Sequence, residues 1–278
     1  MNYRHSFHAG NFADCFKHAV LLELLRALTE KPTPIHYFET HAGRGRYALD
    51  VLELDQPEWK SGIAKLLDVS GLPPELHRYV ERVKSVNSGE FGVYPGSPLL
   101  AAARLRGIDR LELCELEPTQ AGALKDLFAR DQRVAVHALD GYQRLKAALP
   151  PEIKRGLVLI DPSFEDHHEF AAIADALQGA LSRWATGVYA VWYPIKIGRE
   201  LAPFYRALTA LNAKNILLAE LCIHPDVSDL RLNGCGLAIL NAPYKFEQTV
   251  ERVLKPLHRL LRVESRARAG WRWIKAPV

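Results

Sequence analysis

No apolar run in this 278-residue chain approaches the roughly 18 residues that a membrane span requires, so no membrane partner is expected. The first twenty residues, MNYRHSFHAGNFADCFKHAV, lack the apolar centre and small-residue cleavage site of a secretion signal, and a cytoplasmic location is expected. Cysteine is scarce. The four present, Cys15, Cys114, Cys222 and Cys235, are scattered and form no CxxC pair, which argues against a zinc knot or a disulfide framework. No internal repeat or low-complexity linker is visible, so a solenoid is excluded. What remains is 48% hydrophobic and 24% charged, the composition of a globular chain.

Charge is unevenly spread. The total is +4, yet residues 251–278 hold eight Lys/Arg against Glu251 and Glu264, which is +6. The rest of the chain therefore carries −2. A basic end on a near-neutral body suggests a polyanionic partner. The plainer alternative is a solvated C-terminal helix with a frayed tail.

Residues 13–28 carry Phe16, Ala19, Val20, Leu24 and Leu28 at helical spacing. Pro32 and Pro34 then break the chain, and 35–40 reads as a short buried strand leading to a glycine loop and a helix start. Short apolar runs follow at 110–116, 133–139, 157–160, 187–192, 216–223 and 236–240, most of them separated by helical patterns. This alternation predicts an α/β fold, a mostly parallel sheet with helices on both faces. No helical crossover fits between 216–223 and 236–240, so that last hairpin strand should be antiparallel. About 70 residues separate the first two strands, where one βαβ unit needs about 30. Residues 58–69 and 74–86 look helical, so 50–95 is read as a small helical insertion in a domain formed by 1–49 and 96–278. A final amphipathic helix spans the 250s and ends in RARAGWRWIKAPV.

Three acids close predicted strands: Glu39, Glu115 and Asp140. Ligands of open α/β sheets bind at the carboxyl ends of the parallel strands. A carboxylate such as Glu115 can accept two ribose hydroxyls, and one such as Asp140 can take an amino proton of adenine. Gly43-Arg44-Gly45 would add backbone N–H groups and a helix N-terminus. The run Gly43-Arg44-Gly45-Arg46-Tyr47-Ala48 fits a dinucleotide pattern, but the insertion stands where a pyrophosphate dinucleotide needs its next strand and acid. The three acids point instead to a nucleoside-bearing cofactor without a pyrophosphate.

The most specific signal is Asp161-Pro162-Ser163-Phe164 after the buried run 157–160. It resembles the Asp/Asn-Pro-Pro-aromatic tetrad of amino-directed methyltransferases that use S-adenosyl-L-methionine. An adenine N6 lone pair is delocalised and a poor nucleophile. A carboxylate and a backbone carbonyl can accept its two protons and align it, the proline fixes the carbonyl direction, and the ring stacks on a flipped base. The alternative is a proline turn with Phe164 in the core. Asn241-Ala242-Pro243-Tyr244 mimics the tetrad, but its strand should run antiparallel, which places it at the opposite sheet edge.

Nearly end to end the chain resembles the RlmJ family, bacterial 23S rRNA adenine-N6 methyltransferases. The likeness rests on Tyr3-Arg4-His5-Ser6-Phe7-His8-Ala9-Gly10-Asn11, Lys17-His18, Thr40-His41-Ala42-Gly43, Tyr94-Pro95-Gly96-Ser97-Pro98, Asp140-Gly141 and Trp192-Tyr193-Pro194. It implies a Rossmann-like class I methyltransferase fold with a small helical insertion. His18, His41, Ser97, Glu115, Asp140 and Gly141 would contact S-adenosyl-L-methionine, Asp161 would hold the target amine, and Tyr3 would touch the RNA. Ser97 before Pro98 suits a helix N-cap that could receive the methionine carboxylate. Arg4, Lys17 and part of the basic end are the expected phosphate contacts, although by pattern alone Lys17 and His18 read as a solvated helix face. No metal is expected, because methyl transfer to nitrogen needs no Lewis acid. The family tetrad usually reads Asp-Pro-Pro-Tyr, so Ser163 is a departure that should loosen the loop. The expectation is a monomeric enzyme that methylates one adenine N6 of 23S rRNA. The alternatives are a DNA adenine methyltransferase and an RNA-binding protein that has lost turnover.

Overall fold

A computed structural model describes residues 7–49, 57–89, 91–196, 200–225 and 232–277. Tyr3 and Arg4, two of the expected RNA contacts, lie outside the described residues.

Helix α1, Phe12–Thr29, starts where the Asn11 side chain accepts the N–H groups of Ala13 and Asp14. Five strands then share a parallel arrangement: β1 (His36–Glu39), β4 (Arg110–Cys114), β5 (Val134–His137), β6 (Gly156–Ile160) and β7 (Val188–Ile195). Helices α5 (Pro118–Phe128), α6 (Gly141–Ala148) and α7 (Glu169–Arg183) connect them. After α8 (Ala202–Ala210) come β8 (Ile216–Cys222) and β9 (Gly234–Leu240), and β9 runs antiparallel to both β7 and β8, as the missing crossover predicted. With β10 formed by Ala269–Lys275, the eight-stranded order is β10-β8-β9-β7-β6-β1-β4-β5.

Strand pleat sorts the core into two layers. Tyr37, Leu111, Leu157 and Leu159 face the layer of α1 and of α9 (Phe246–Leu261). Phe38, Val158, Ile160 and Val191 face α7 and α8. Strands buried on both faces need unbroken apolar sequence, and for that reason β6 reads Gly-Leu-Val-Leu-Ile. Each such side chain contributes about 1.5–3 kcal/mol by leaving water.

Two expectations are corrected. Gly43–Gly45 does not open a helix. It leads into β2 (Arg46–Ala48), which pairs antiparallel with β3 (Val93–Pro95), so a two-stranded ribbon brackets the insertion. The insertion holds a short 3-10 helix at Glu58–Lys60, α2 (Ala64–Leu67) and α3 (Pro74–Lys84), and the ribbon hands the chain to α4 (Ser97–Arg104). The basic C-terminus is not a frayed tail either. Ala269–Lys275 forms β10, the antiparallel edge partner of β8. Buried Glu220 of β8 fastens it, taking Arg268 at 2.9 Å and Arg272 at 3.3 Å. Among the described residues no helix is long and apolar enough to cross a membrane.

Candidate functional site

From β1 the chain moves outward through β4 to β5, then returns to the other side of β1 for β6. This reversal makes the carboxyl end between β1 and β6 the switch point where such sheets bind ligands. Glu39 closes β1 there, and Glu115, Asp140 and Asp161 follow β4, β5 and β6 at the same edge. Backbone bonds tie these ends together: Thr40 N–H to the Leu159 carbonyl at 3.1 Å, Ala42 N–H to Cys114 at 2.8 Å, Glu115 N–H to His137 at 3.1 Å.

Each acid sits in a different setting. Glu39 is fully buried. Tyr37 Oη donates to its Oε2 at 2.8 Å, and the Ser97 hydroxyl donates to Oε1. Burial pushes the Glu39 carboxyl up to about 8; the bonds from Ser97 and Tyr37 oppose the shift and the charge of Asp161 adds to it. Glu115 is half-buried and receives Gly43 N–H on Oε2 at 2.8 Å and Glu117 N–H on Oε1 at 2.9 Å. Asp140 caps α6, taking Tyr142 N–H at 2.7 Å and Gln143 N–H at 3.2 Å on the single oxygen Oδ1. Gly141 is required by packing, because a Cβ there would lie 2.0 Å from the Thr40 carbonyl oxygen. Gly43 has φ +60°, a conformation that costs glycine nothing.

Asp161 carries the most informative contact. Lys17 Nζ donates to its Oδ2 at 2.5 Å and also meets Asp14 Oδ1 at 2.9 Å. Lys17 is only 4% exposed. Burial alone would lower its ammonium, but the two carboxylates outweigh that and hold it well above the usual lysine range. The expectation of a solvated Lys17 reaching for phosphate is therefore corrected: the side chain points inward, because two anions there compensate its desolvation. His18 is also buried rather than on a solvated face. Its Nδ1 meets Tyr94 Oη at 2.8 Å. Asp14, which sequence reasoning missed, completes this cluster and accepts Gly10 N–H at 3.0 Å. Its signal was available: two charges three residues apart inside an apolar helical pattern.

His41 lies at the same edge. Burial lowers its imidazole to about 4 against the pull of Asp161 and Asp140, so the ring is neutral at neutral pH. Its Nδ1 meets Thr40 Oγ1 at 2.7 Å, and its ring stands edge-on to Tyr142. Ser97 is the first residue of α4 rather than its N-cap, which is Gly96. Phe164 departs from the expected stacking platform. Its ring is 7% exposed and packs against Phe170 at 5.0 Å and Trp192 at 5.8 Å, on a backbone with φ +55°. Ser163 beside it is exposed. Asn241 stands at the opposite edge, bonded to Lys214 N–H and to the carbonyls of Ala185 and Gly187, away from the switch point.

The edge suits a nucleoside-bearing group. Glu115 and Asp140 are accessible carboxylates, and next to them Leu116 and Leu139 are 66% and 36% exposed. Apolar side chains left in water on adjoining strand ends could flank a flat base. Periodicity did not single them out, because a leucine ending a strand reads as core.

The buried Glu39 carboxyl makes stability pH-dependent. It binds its proton more tightly in the fold, at about 8, than at its ordinary 4.5. Between those values the native state holds more protons, so stability falls as pH rises. Glu39→Gln, which cannot ionise, should gain about 3 kcal/mol on the parent between pH 5.5 and 8.5. Urea unfolding at the two pH values measures the gap, and a constant gap refutes a neutral Glu39.

The family model described as ribosomal RNA large subunit methyltransferase D, RlmJ, matches residues 32–275. The Escherichia coli protein named ribosomal RNA large subunit methyltransferase J is 40% identical over 276 residues, 99% of both chains. Its Haemophilus influenzae namesake is 38% identical over 277 residues, again 99% of each. The crystal structure of protein LPL1258 from Legionella pneumophila superposes with a TM-score of 0.87 at 38% identity, covering 97% of this chain and 98% of that one. A probable spermidine synthase from Corynebacterium glutamicum, at 11% identity and TM-score 0.51, shares the fold alone. With the four acids at one switch point and a full-length match on both sequence and structure, the chain belongs to the RlmJ family of ribosomal RNA large subunit methyltransferases.

Proposed function

We propose that this protein transfers a methyl group from S-adenosyl-L-methionine to N6 of one adenine in 23S rRNA. The observation that carries the reading is Asp161. A carboxylate leaves buried β6 at the switch point, followed by Pro162, with Oδ2 already fixed by Lys17. Oδ1, which has no partner among the described residues, could accept one N6 proton, and the Pro162 carbonyl the other. With both protons held, the nitrogen lone pair is aimed rather than spread into the ring. Such catalysis is positioning and electrostatics.

S-adenosyl-L-methionine supplies, when bound, a methyl group on a positively charged sulfur. Glu115 would accept its ribose hydroxyls, Asp140 its adenine amine through Oδ2, and Leu116 and Leu139 would flank the ring. The Ser97 and Leu99 N–H groups in the first turn of α4 would receive the methionine carboxylate, with the Ser97 side chain steadied by Glu39. His41, being neutral, would add no positive charge at this edge. Gly43 N–H holds Glu115 in place. Calorimetry with a chelator present should show S-adenosyl-L-methionine or its demethylated product binding. No heat, or tight binding of a nicotinamide dinucleotide instead, overturns the cofactor assignment.

The exposed Ser163 has no hydrogen bond among the described residues, so a proline there removes no needed donor. Ser163→Pro should leave cofactor affinity unchanged and raise turnover about two- to fivefold, the equivalent of roughly 0.4–1 kcal/mol of loop ordering. A several-fold lower rate at equal cofactor affinity would show instead that the loop needs the serine.

A further inference from the structure

We propose that the cleft between α1, α3 and α4 is a second RNA contact, a dock for backbone phosphates of the segment flanking the target base. The inference rests on the rRNA reading above and adds a site outside the catalytic edge. The cleft measures about 320 Å³ and is lined by Glu23 and Arg26 of α1, Glu81 and Arg82 beside Arg78 on α3, and Arg104 at the end of α4. Four guanidinium groups thus face two carboxylates.

The carboxylates do not neutralise them evenly. Glu23 is 1% exposed. Arg26 Nε reaches its Oε2 at 2.8 Å and Arg26 Nη1 reaches Glu30 Oε1, also at 2.8 Å, while Arg78 grips both Glu23 oxygens at 2.9 Å. Glu81 faces Lys84 at 3.7 Å. The guanidinium groups of Arg82 and Arg104 have no hydrogen bond or ion pair among the described residues. Burial, then the guanidinium charges of Arg26, Arg106 and Arg82, lower Arg104 from the usual arginine range, and the charge of Glu23 opposes them only in part. Glu23 acts as a buried post that holds two arginines in fixed directions. The other two remain available for a ligand that the fold does not supply.

Phosphate fits this set. Planar guanidinium forks match phosphate oxygens in pairs, and Arg is weakly hydrated enough to meet them half-buried. A polymer fits better than a small anion. The Arg26 and Arg78 side chains are 35% and 43% exposed, so the cleft is an open rim rather than an enclosed seat. Its place on the helices also matters. Arg26 lies nine residues past Lys17 on α1, and Arg104 seven past Ser97 on α4. At 1.5 Å per residue these are about 13 Å and 10 Å from the catalytic edge along the same helical layer. RNA leaving that edge would cross the cleft. The insertion contributes α3, so it builds part of the substrate surface.

The test is the double variant Arg82→Gln/Arg104→Gln, which breaks no hydrogen bond seen among the described residues. Two substrates are compared: a short stem-loop carrying the target adenine and a long unmodified 23S rRNA fragment. KM for the long RNA should rise about tenfold with kcat unchanged, and the stem-loop should be methylated as before. The slope of log affinity for the long RNA against log salt should fall by about 1.5, two lost phosphate contacts. Arg82→Lys/Arg104→Lys should recover the salt slope and part of the KM. Unchanged KM and slope overturn the dock, and so does saturable micromolar binding of inorganic phosphate in this cleft, which would mark a small-anion site. A wild-type protein that neither binds nor methylates RNA sinks the rRNA reading instead. Should the double variant unfold, Arg82→Gln alone, on the surface of α3, carries the same comparison.

Discussion

Asp161→Ala should abolish methylation, with turnover falling about 10³-fold or more, while the fold survives. The magnitude is that of removing a group that positions and accepts protons at the reacting atom. The fold should persist because Lys17 keeps Asp14 at 2.9 Å, so a buried cation is not stranded. Cofactor affinity should fall far less than turnover, since the carboxylate acts on the amine. Asn241→Ala is the control: its side chain bonds backbone at the opposite edge, and it should change stability but not chemistry. Single-turnover rates with calorimetric cofactor binding measure the split. Wild-type turnover in Asp161→Ala, with loss in Asn241→Ala, would mean that the other tetrad is the active one.

Lys17→Met should cost both stability and activity. Methionine fills the same volume but leaves Asp14 and Asp161 side by side in a nearly dry site. Breaking a buried pair of this kind costs about 3–5 kcal/mol, and part of that will be relieved by proton uptake. Asp161 would also lose the contact that fixes Oδ2, and turnover should fall about 10²-fold. A second substitution separates the two effects. Lys17→Met/Asp14→Asn removes the like-charge repulsion and should regain most of the stability, yet leave turnover low. Denaturant midpoints and kcat read the two quantities independently. If the double variant regains turnover along with stability, Lys17 is only structural.

These two residues also show what a sequence reveals and what it hides. Asp161 was legible because its strand is buried on both faces, reads as an unbroken apolar run, and ends abruptly in Asp-Pro. Glu39, Glu115 and Asp140 were legible as acids that follow short strand-like runs, although β5 before Asp140 is only half-buried. The inward turn of Lys17 was not, because its partner lies 144 residues away and helical periodicity says nothing about a cation paid for by distant anions. Phe164 was legible as an aromatic at a strand end, but its burial depends on Phe170 and Trp192 from other elements. The sheet was read correctly up to β9. Strand β10 was missed because Ala-Gly-Trp-Arg-Trp-Ile-Lys is a half-exposed edge strand, held by an ion pair to Glu220 rather than by apolar alternation. The ribbon of β2 and β3 was missed because three-residue strands carry no period, and their pairing spans the whole insertion.

The central claim is a methyl group placed on adenine N6 of 23S rRNA. It is tested most directly by incubating the protein with isotopically labelled S-adenosyl-L-methionine and 23S rRNA made without modifications, then digesting the RNA to nucleosides. The account predicts label in N6-methyladenosine, close to one per RNA, and almost none with Asp161→Ala. Label in another nucleoside, equal label in double-stranded DNA, or cofactor and RNA binding with no label at all would contradict it.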